Sequence, residues 1–191
     1  MTDIESAFVS EHGFRTPDTV EGMRDAWGFI EHRWTVTTER ARRLPTNALY
    51  ERVEEEWSFV ETLRHLVFAT DAWFRRTVLG AKHAYWVGDL PHTEFDGDHS
   101  ALGIDDAAPH TIDEVLTVRT NRWDEIRRVL DTLTADGLSR TCAQNPVAGY
   151  PEDTKVTVRG CLGVVLNEEW WHHRYATRDL AVLEGSFGAA G

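Results

Sequence analysis

Between Val158 and Leu183 the chain runs without proline, and Leu162, Leu166, Glu169, His173, Ala176, Leu180 and Leu183 recur in alternating steps of four and three. That spacing keeps one face of a helix against a partner over several turns. A helix of this length cannot bury its stripe alone, so the rest of the chain must supply other helices.

Three further segments do so. From about Thr19 to Arg43, Met23, Trp27, Ile30, Trp34 and Thr37/Thr38 recur at helical intervals, and Leu44-Pro45 ends the run. Ser58 and Glu61 form an S-x-x-E capping box, followed by Leu63, Leu66, Val67, Trp73 and Phe74 as far as Gly80. Thr111 and Glu114 repeat the box, and Val115, Leu116, Val118, Trp123, Ile126, Val129 and Leu130 form a stripe up to Leu133. The pattern predicts an all-α, four-helix bundle with a long crossover connection, Gly80 to His110, between helices 2 and 3. A connection of that length in a compact domain is usually functional or mobile. It carries His83, Tyr85, Trp86, His92, His99 and His110. His83, His92 and His99 can be read as a lid over a site or as solvated loop residues, and their irregular spacing favours solvation.

With 191 residues, 41% of them hydrophobic, the chain is expected to form one domain over 1–191, with 1–18 and 185–191 as flexible termini. The net charge of −12 disfavours nucleic acid and anionic membranes as partners. The start, MTDIESAFVSEHGF, does not read as a signal peptide, and a cytoplasmic location is expected. Cys142 and Cys161 lack CxxC spacing and read as two reduced thiols. A homodimer is the expected assembly by frequency alone.

The polar residues of the last helix carry the chemistry. Glu169 and His173 stand one turn apart on the seam, as a pair of metal ligands would. Glu168 and His172 have the same spacing about 100° further round and are expected to face a rim, where they can act as acid or base. A stable site needs a third donor. His65, above the small Ala69 and Ala72, is the best candidate, so the expected metal set is His65, Glu169 and His173. A buried Glu169–His173 ion pair remains an alternative. Glu61, one turn before His65, can orient its ring or simply cap the helix. Trp170 and Trp171 can wall a pocket or fill the core. Arg174 and Arg178 can bind a carboxylate on a cofactor or pair at the surface.

Two motifs, LRHL around His65 and EEWWHHRYATRDL around His173-Arg174, resemble the DinB-like superfamily, which includes mycothiol-dependent maleylpyruvate isomerase N-terminal domains and bacillithiol transferases. The resemblance covers nearly the whole chain. It implies a four-helix bundle with a divalent metal near one end, His65 as the first ligand and His173 as the last. The position four residues before His173, commonly histidine in that family, is Glu169 here. Zinc is the default ion, with nickel, iron or manganese as alternatives. The resemblance further implies a metal-dependent S-transferase or isomerase that uses mycothiol or a similar small thiol on a small electrophile. A metal-dependent hydrolase on the same site and a non-catalytic metal- or ligand-binding bundle are the alternatives.

Overall fold

The computed structural model describes residues 8–10, 13–105, 107–147, 149–152 and 155–188. Four long helices dominate: α1 (Val20–Ala41), α2 (Phe59–Thr70), α3 (Ile112–Thr132) and α5 (Val158–Gly188); α4 (Ala135–Ser139) is a single short turn between α3 and α5. The all-α bundle expected from periodicity is the fold observed.

The helix starts follow from their caps. Thr19 accepts from the Gly22 amide, and both capping boxes are closed, with Glu61 returning to the Ser58 amide and Glu114 to that of Thr111. Each box satisfies donors that the first helical turn leaves unpaired. The end of the second helix is less regular than its apolar pattern suggests. From Asp71 to Val78 the backbone widens into a π-helix, in which the Leu79 amide reaches Phe74 O and Thr77 Oγ1 donates to Ala72 O. Gly80 then stops it at φ +68°, a conformation that costs a residue with a Cβ atom free energy.

Around the bundle, α2 packs on α3 and α5, and α1 packs on α5 and α3. Thus α3 and α5 face each other across the core, while α2 and α1 flank α5 on opposite sides. Met23, Trp27, Ile30 and Trp34 of α1 are buried, as are Val115, Ile126 and Leu130 of α3 and all seven seam positions of α5. Each large buried apolar side chain contributes about 1.5–3 kcal/mol.

A short antiparallel hairpin, β1 (Val9–Ser10) with β2 (Gly13–Phe14), lies against α5 within the stretch expected to be flexible. Gly13 has φ +121°, and a Cβ there would meet Asn167 Oδ1 at 2.9 Å and Trp171 Nε1 at 3.0 Å. Its Phe14 joins Phe29 and Trp170 in an aromatic cluster, so Trp170 belongs to the packing of this end. At the other end of the chain, α5 continues past Leu183 into the segment expected to be a flexible terminus. Among the described residues, no helix is long and apolar enough to cross a membrane.

Candidate metal centre

The seam of α5 points where its periodicity places it, but His65 does not lie there. Glu169, fully buried, receives a bidentate pair of hydrogen bonds from Arg119 of α3, Nη2 to Oε2 at 2.9 Å and Nη1 to Oε1 at 3.3 Å. The Arg119 guanidinium is also held between Trp34 and Trp123, 5.0 Å from each ring. His173 turns toward α1, with Nε2 2.8 Å from Thr37 Oγ1 and its ring edge-on to Trp34. Burial first, then the positive charge of Arg33, lowers the His173 pKa to about 4. Glu169 and His173 are thus engaged with α3 and α1, whereas His65 extends from α2.

His65 meets the neighbouring face of α5 instead. Its Nε2 lies 3.5 Å from Glu168 Oε2, and His172 Nδ1 lies 3.5 Å from the same oxygen. One donor atom from each of His65, Glu168 and His172 falls within 4.8 Å of the others. The structure therefore brings His65 to the rim pair and leaves the seam pair elsewhere. The cause is the 100° step between adjacent residues of a helix, which separates the α3-facing seam from the α2-facing rim.

The group is oriented as well as assembled. The His65 Nδ1 donates to Leu90 O at 3.0 Å, and His172 Nδ1 donates to Glu168 O at 3.0 Å, so each ring is fixed through Nδ1. An imidazole fixed through one nitrogen by a carbonyl is how metal-binding histidines are usually held. Trp57 packs on both rings, 4.6 Å from His65 and 6.0 Å from His172. Burial, reinforced by His65, pushes the His172 pKa down to about 4, leaving it neutral at pH 7. Hydrogen bonding with His65 is the largest influence holding the Glu168 carboxyl below its ordinary range, against the opposing effect of burial, and His172 and His92 add to it.

Two imidazoles and one carboxylate form a donor set suited to zinc and other first-row divalent ions. Tetrahedral bonds of about 2.0–2.2 Å place donors roughly 3.3–3.5 Å apart. The 3.5 Å separation of His65 Nε2 from Glu168 Oε2 lies at that spacing, and one donor atom of each of the three residues lies within 4.8 Å of the others, so these residues fit a divalent ion.

A groove of about 340 Å³ opens beside the group, with His172 in its wall together with Trp57, Thr62, Thr93 and Tyr175. Its charged lining is Arg52, Glu55, Glu56 and Asp179. Arg52 is fixed by Glu61 and Asp179 by Arg178. Glu61 therefore completes the cap and an ion pair, and Arg178 pairs at the surface. Arg174 lies over Trp171 at 4.9 Å, and Trp170 is in the core, so neither lines the groove. At the lip, Glu54 and Glu55 hold φ of +51° and +68°. For residues with a side chain this costs on the order of 1 kcal/mol each, a strain frequently found at binding sites. Two cavities of about 380 and 360 Å³ lie elsewhere, around Arg76, and neither has a member of the His/Glu group in its wall.

The crossover supplies more than spacing. His92 packs against Phe68, Phe95 and Tyr150, and burial, then the charge of His65, lowers its pKa. His99 stacks on Phe95, and His83 lines the 360 Å³ cavity. Leu90, which orients His65, follows a tight turn fixed from below: Arg64 Nε donates to Gly88 O at 2.7 Å, and the Trp86 amide is shared by Asp71 Oδ2 and Asp89 Oδ2. Asp71 is also bound by Arg122.

That shared amide sets a pH dependence of stability. Burial and the charge of Asp71 raise the Asp89 pKa well above its ordinary value, and burial raises Asp71 to about 6 despite Arg122. The folded chain thus retains protons that the unfolded chain releases near pH 4, so this pair's contribution falls as pH rises from about 4 through about 6. Asp89→Asn, which keeps the neutral shape, is expected to stabilise the protein by on the order of 1–3 kcal/mol near pH 8 and by little near pH 4. Urea denaturation at the two pH values measures this, and equal effects at both would contradict it.

No curated protein and no solved structure matches the chain. The sequence pattern of the DinB superfamily does, over residues 30–176, which spans most of α1 and reaches α5 beyond His172. With three quarters of its length under that match, including all of α2 and α3 and parts of α1 and α5, the chain belongs to the DinB superfamily.

Proposed function

We propose that the protein is a divalent-metal-dependent S-transferase that joins a small thiol, of the mycothiol type, to a small electrophile. The observation that carries this reading is the His65, Glu168 and His172 group, whose His172 forms part of the wall of an accessible groove. An isolated structural pair in the core would need no such opening. The family resemblance supplies the thiol.

When bound, the metal would favour the thiolate over the thiol, since a cation stabilises the anion it faces. The chain's own residues do the rest. His65 and His172 present fixed nitrogens, Glu168 supplies the negative charge, and Leu90 sets the ring of His65. Trp57 and Tyr175 offer flat apolar walls for the electrophile, and Thr62 and Thr93 offer hydroxyls. With Glu168 and His172 assigned to the metal, the acid or base role read for them in the sequence is given up. Zinc is the proposed ion and the cytoplasm the proposed compartment, where small thiols stay reduced.

The test is zinc-loaded protein with a small thiol and 1-chloro-2,4-dinitrobenzene. Conjugation should require both metal and thiol, disappear in His172→Ala and persist in Arg174→Ala, whose side chain lies outside the groove. Ester hydrolysis without thiol would transfer the site to the hydrolase reading. Metal binding with neither activity would leave a binding bundle.

A further inference from the structure

Cys142 and Cys161 are nineteen positions apart in the chain, yet their sulfurs lie 3.9 Å from each other. The backbone holds them there. Thr141 and Thr157 form an antiparallel bridge, the Cys142 amide donates to Val156 O at 2.8 Å, and the Cys161 amide donates to Thr157 O in the first turn of α5. A disulfide requires about 2.05 Å between sulfurs, so closure needs a shift of roughly 2 Å.

The two thiols differ in access. Both are buried, Cys161 completely and Cys142 with 9% of its surface exposed, and Cys142 forms part of the wall of the cavity of about 380 Å³, beside Thr77, Asn145, Arg76 and Lys155. That volume accommodates a small peptide-like thiol. This cavity is separate from the groove at His172, and neither the metal group nor the proposed transfer uses it.

We propose that Cys142 and Cys161 form a thiol–disulfide exchange site for low-molecular-weight disulfides, with Cys142 as the attacking thiol and Cys161 as the resolving one. The Cys142 thiolate attacks one sulfur of the small disulfide, forming a mixed disulfide and expelling one small thiolate. Cys161, as thiolate, then attacks the Cys142 sulfur, forming the Cys142–Cys161 bond and expelling the second. The two protons of the protein thiols end on the two small thiols released. The protein dithiol is oxidised and the small disulfide is reduced, with no other reactant.

Burial and the neighbouring Cys142 raise the Cys161 thiol to about 12 in the reduced pair, which keeps the buried sulfur protonated until its partner has reacted. The order of events therefore follows both access and charge.

The test uses the reduced full-length protein with oxidised glutathione as the probe, followed by alkylation under denaturing conditions and intact mass spectrometry. Wild type is expected to lose the mass of two hydrogens and take up no alkylating agent. Cys161→Ser should trap one glutathionyl group on Cys142, and Cys142→Ser should stay unmodified over the same time. Circular dichroism of each variant establishes that it is folded, and the wild-type result stands without either variant. Two free thiols in wild type would overturn the proposal. So would a persistent glutathione adduct on wild-type Cys142, or a trapped adduct on Cys161 in Cys142→Ser.

Discussion

His172→Ala is expected to lose the metal while His173→Ala, its immediate neighbour in the sequence, keeps it. The two side chains sit on one turn of α5 but face different helices: His172 faces His65 of α2, and His173 faces Thr37 of α1. Changes to groups that merely orient a ligand weaken metal binding by about 10–100-fold, so loss of a donor should weaken it by at least about 100-fold. Glu168→Ala should behave like His172→Ala. Metal titration with native-state mass spectrometry on the folded variants reads the outcome. If His173→Ala loses the ion and His172→Ala retains it, the seam pair rather than the rim pair is the site.

Glu169→Ala should instead affect folding. Removal of this carboxylate leaves the Arg119 guanidinium, 3% exposed, without its charged partner between Trp34 and Trp123. Breaking a buried ion pair from one side costs about 3–5 kcal/mol, because the remaining charge stays desolvated. The double variant Arg119→Met with Glu169→Leu should recover most of that loss, since apolar replacements remove both charges together. Chemical denaturation of the two proteins measures the difference. Equal stability of the single and double variants would contradict the role given to the pair, and metal affinity should be little changed in the double variant.

These two predictions separate what was legible in the sequence from what was not. The 4-3 rhythm of α5 gives the correct buried face, and the two S/T-x-x-E boxes give the starts of α2 and α3 to the residue. Periodicity along one helix, however, does not say which helix each face will meet. Glu169 and His173 look like ligands because polar groups on a seam need partners, and they have them, in Arg119 and Thr37. A signal for the first was present: Arg119 stands four residues after Val115 and seven before Ile126, on the same buried stripe. An arginine in such a position calls for a carboxylate opposite, and Glu169 is the buried carboxylate across the bundle.

Other features depend on contacts distant in sequence. His92 lies in an irregular connection, and only the folding of that connection over Phe68 and Tyr150 brings it beside His65. The widening of the second helix at Asp71 accompanies burial of that carboxylate against Arg75 one turn on and against Arg122 and the Trp86 amide, the last two outside its local pattern. The approach of Cys142 to Cys161 depends on the Thr141–Thr157 bridge, for which the intervening sequence has no strand-like alternation. Even so, the rim pair was legible as a pair. Its spacing of four matches that of the seam pair, and an ion that must exchange ligands with substrate is better served at a rim than inside a sealed core.

The most direct test of the metal centre is diffraction from crystals of zinc-loaded protein, recorded on both sides of the zinc absorption edge. One anomalous peak is expected within bonding distance of His65 Nε2, a Glu168 oxygen and a ring nitrogen of His172, facing the Trp57 groove. A peak between Glu169 and His173, or zinc-loaded crystals with no peak at His65, would contradict it.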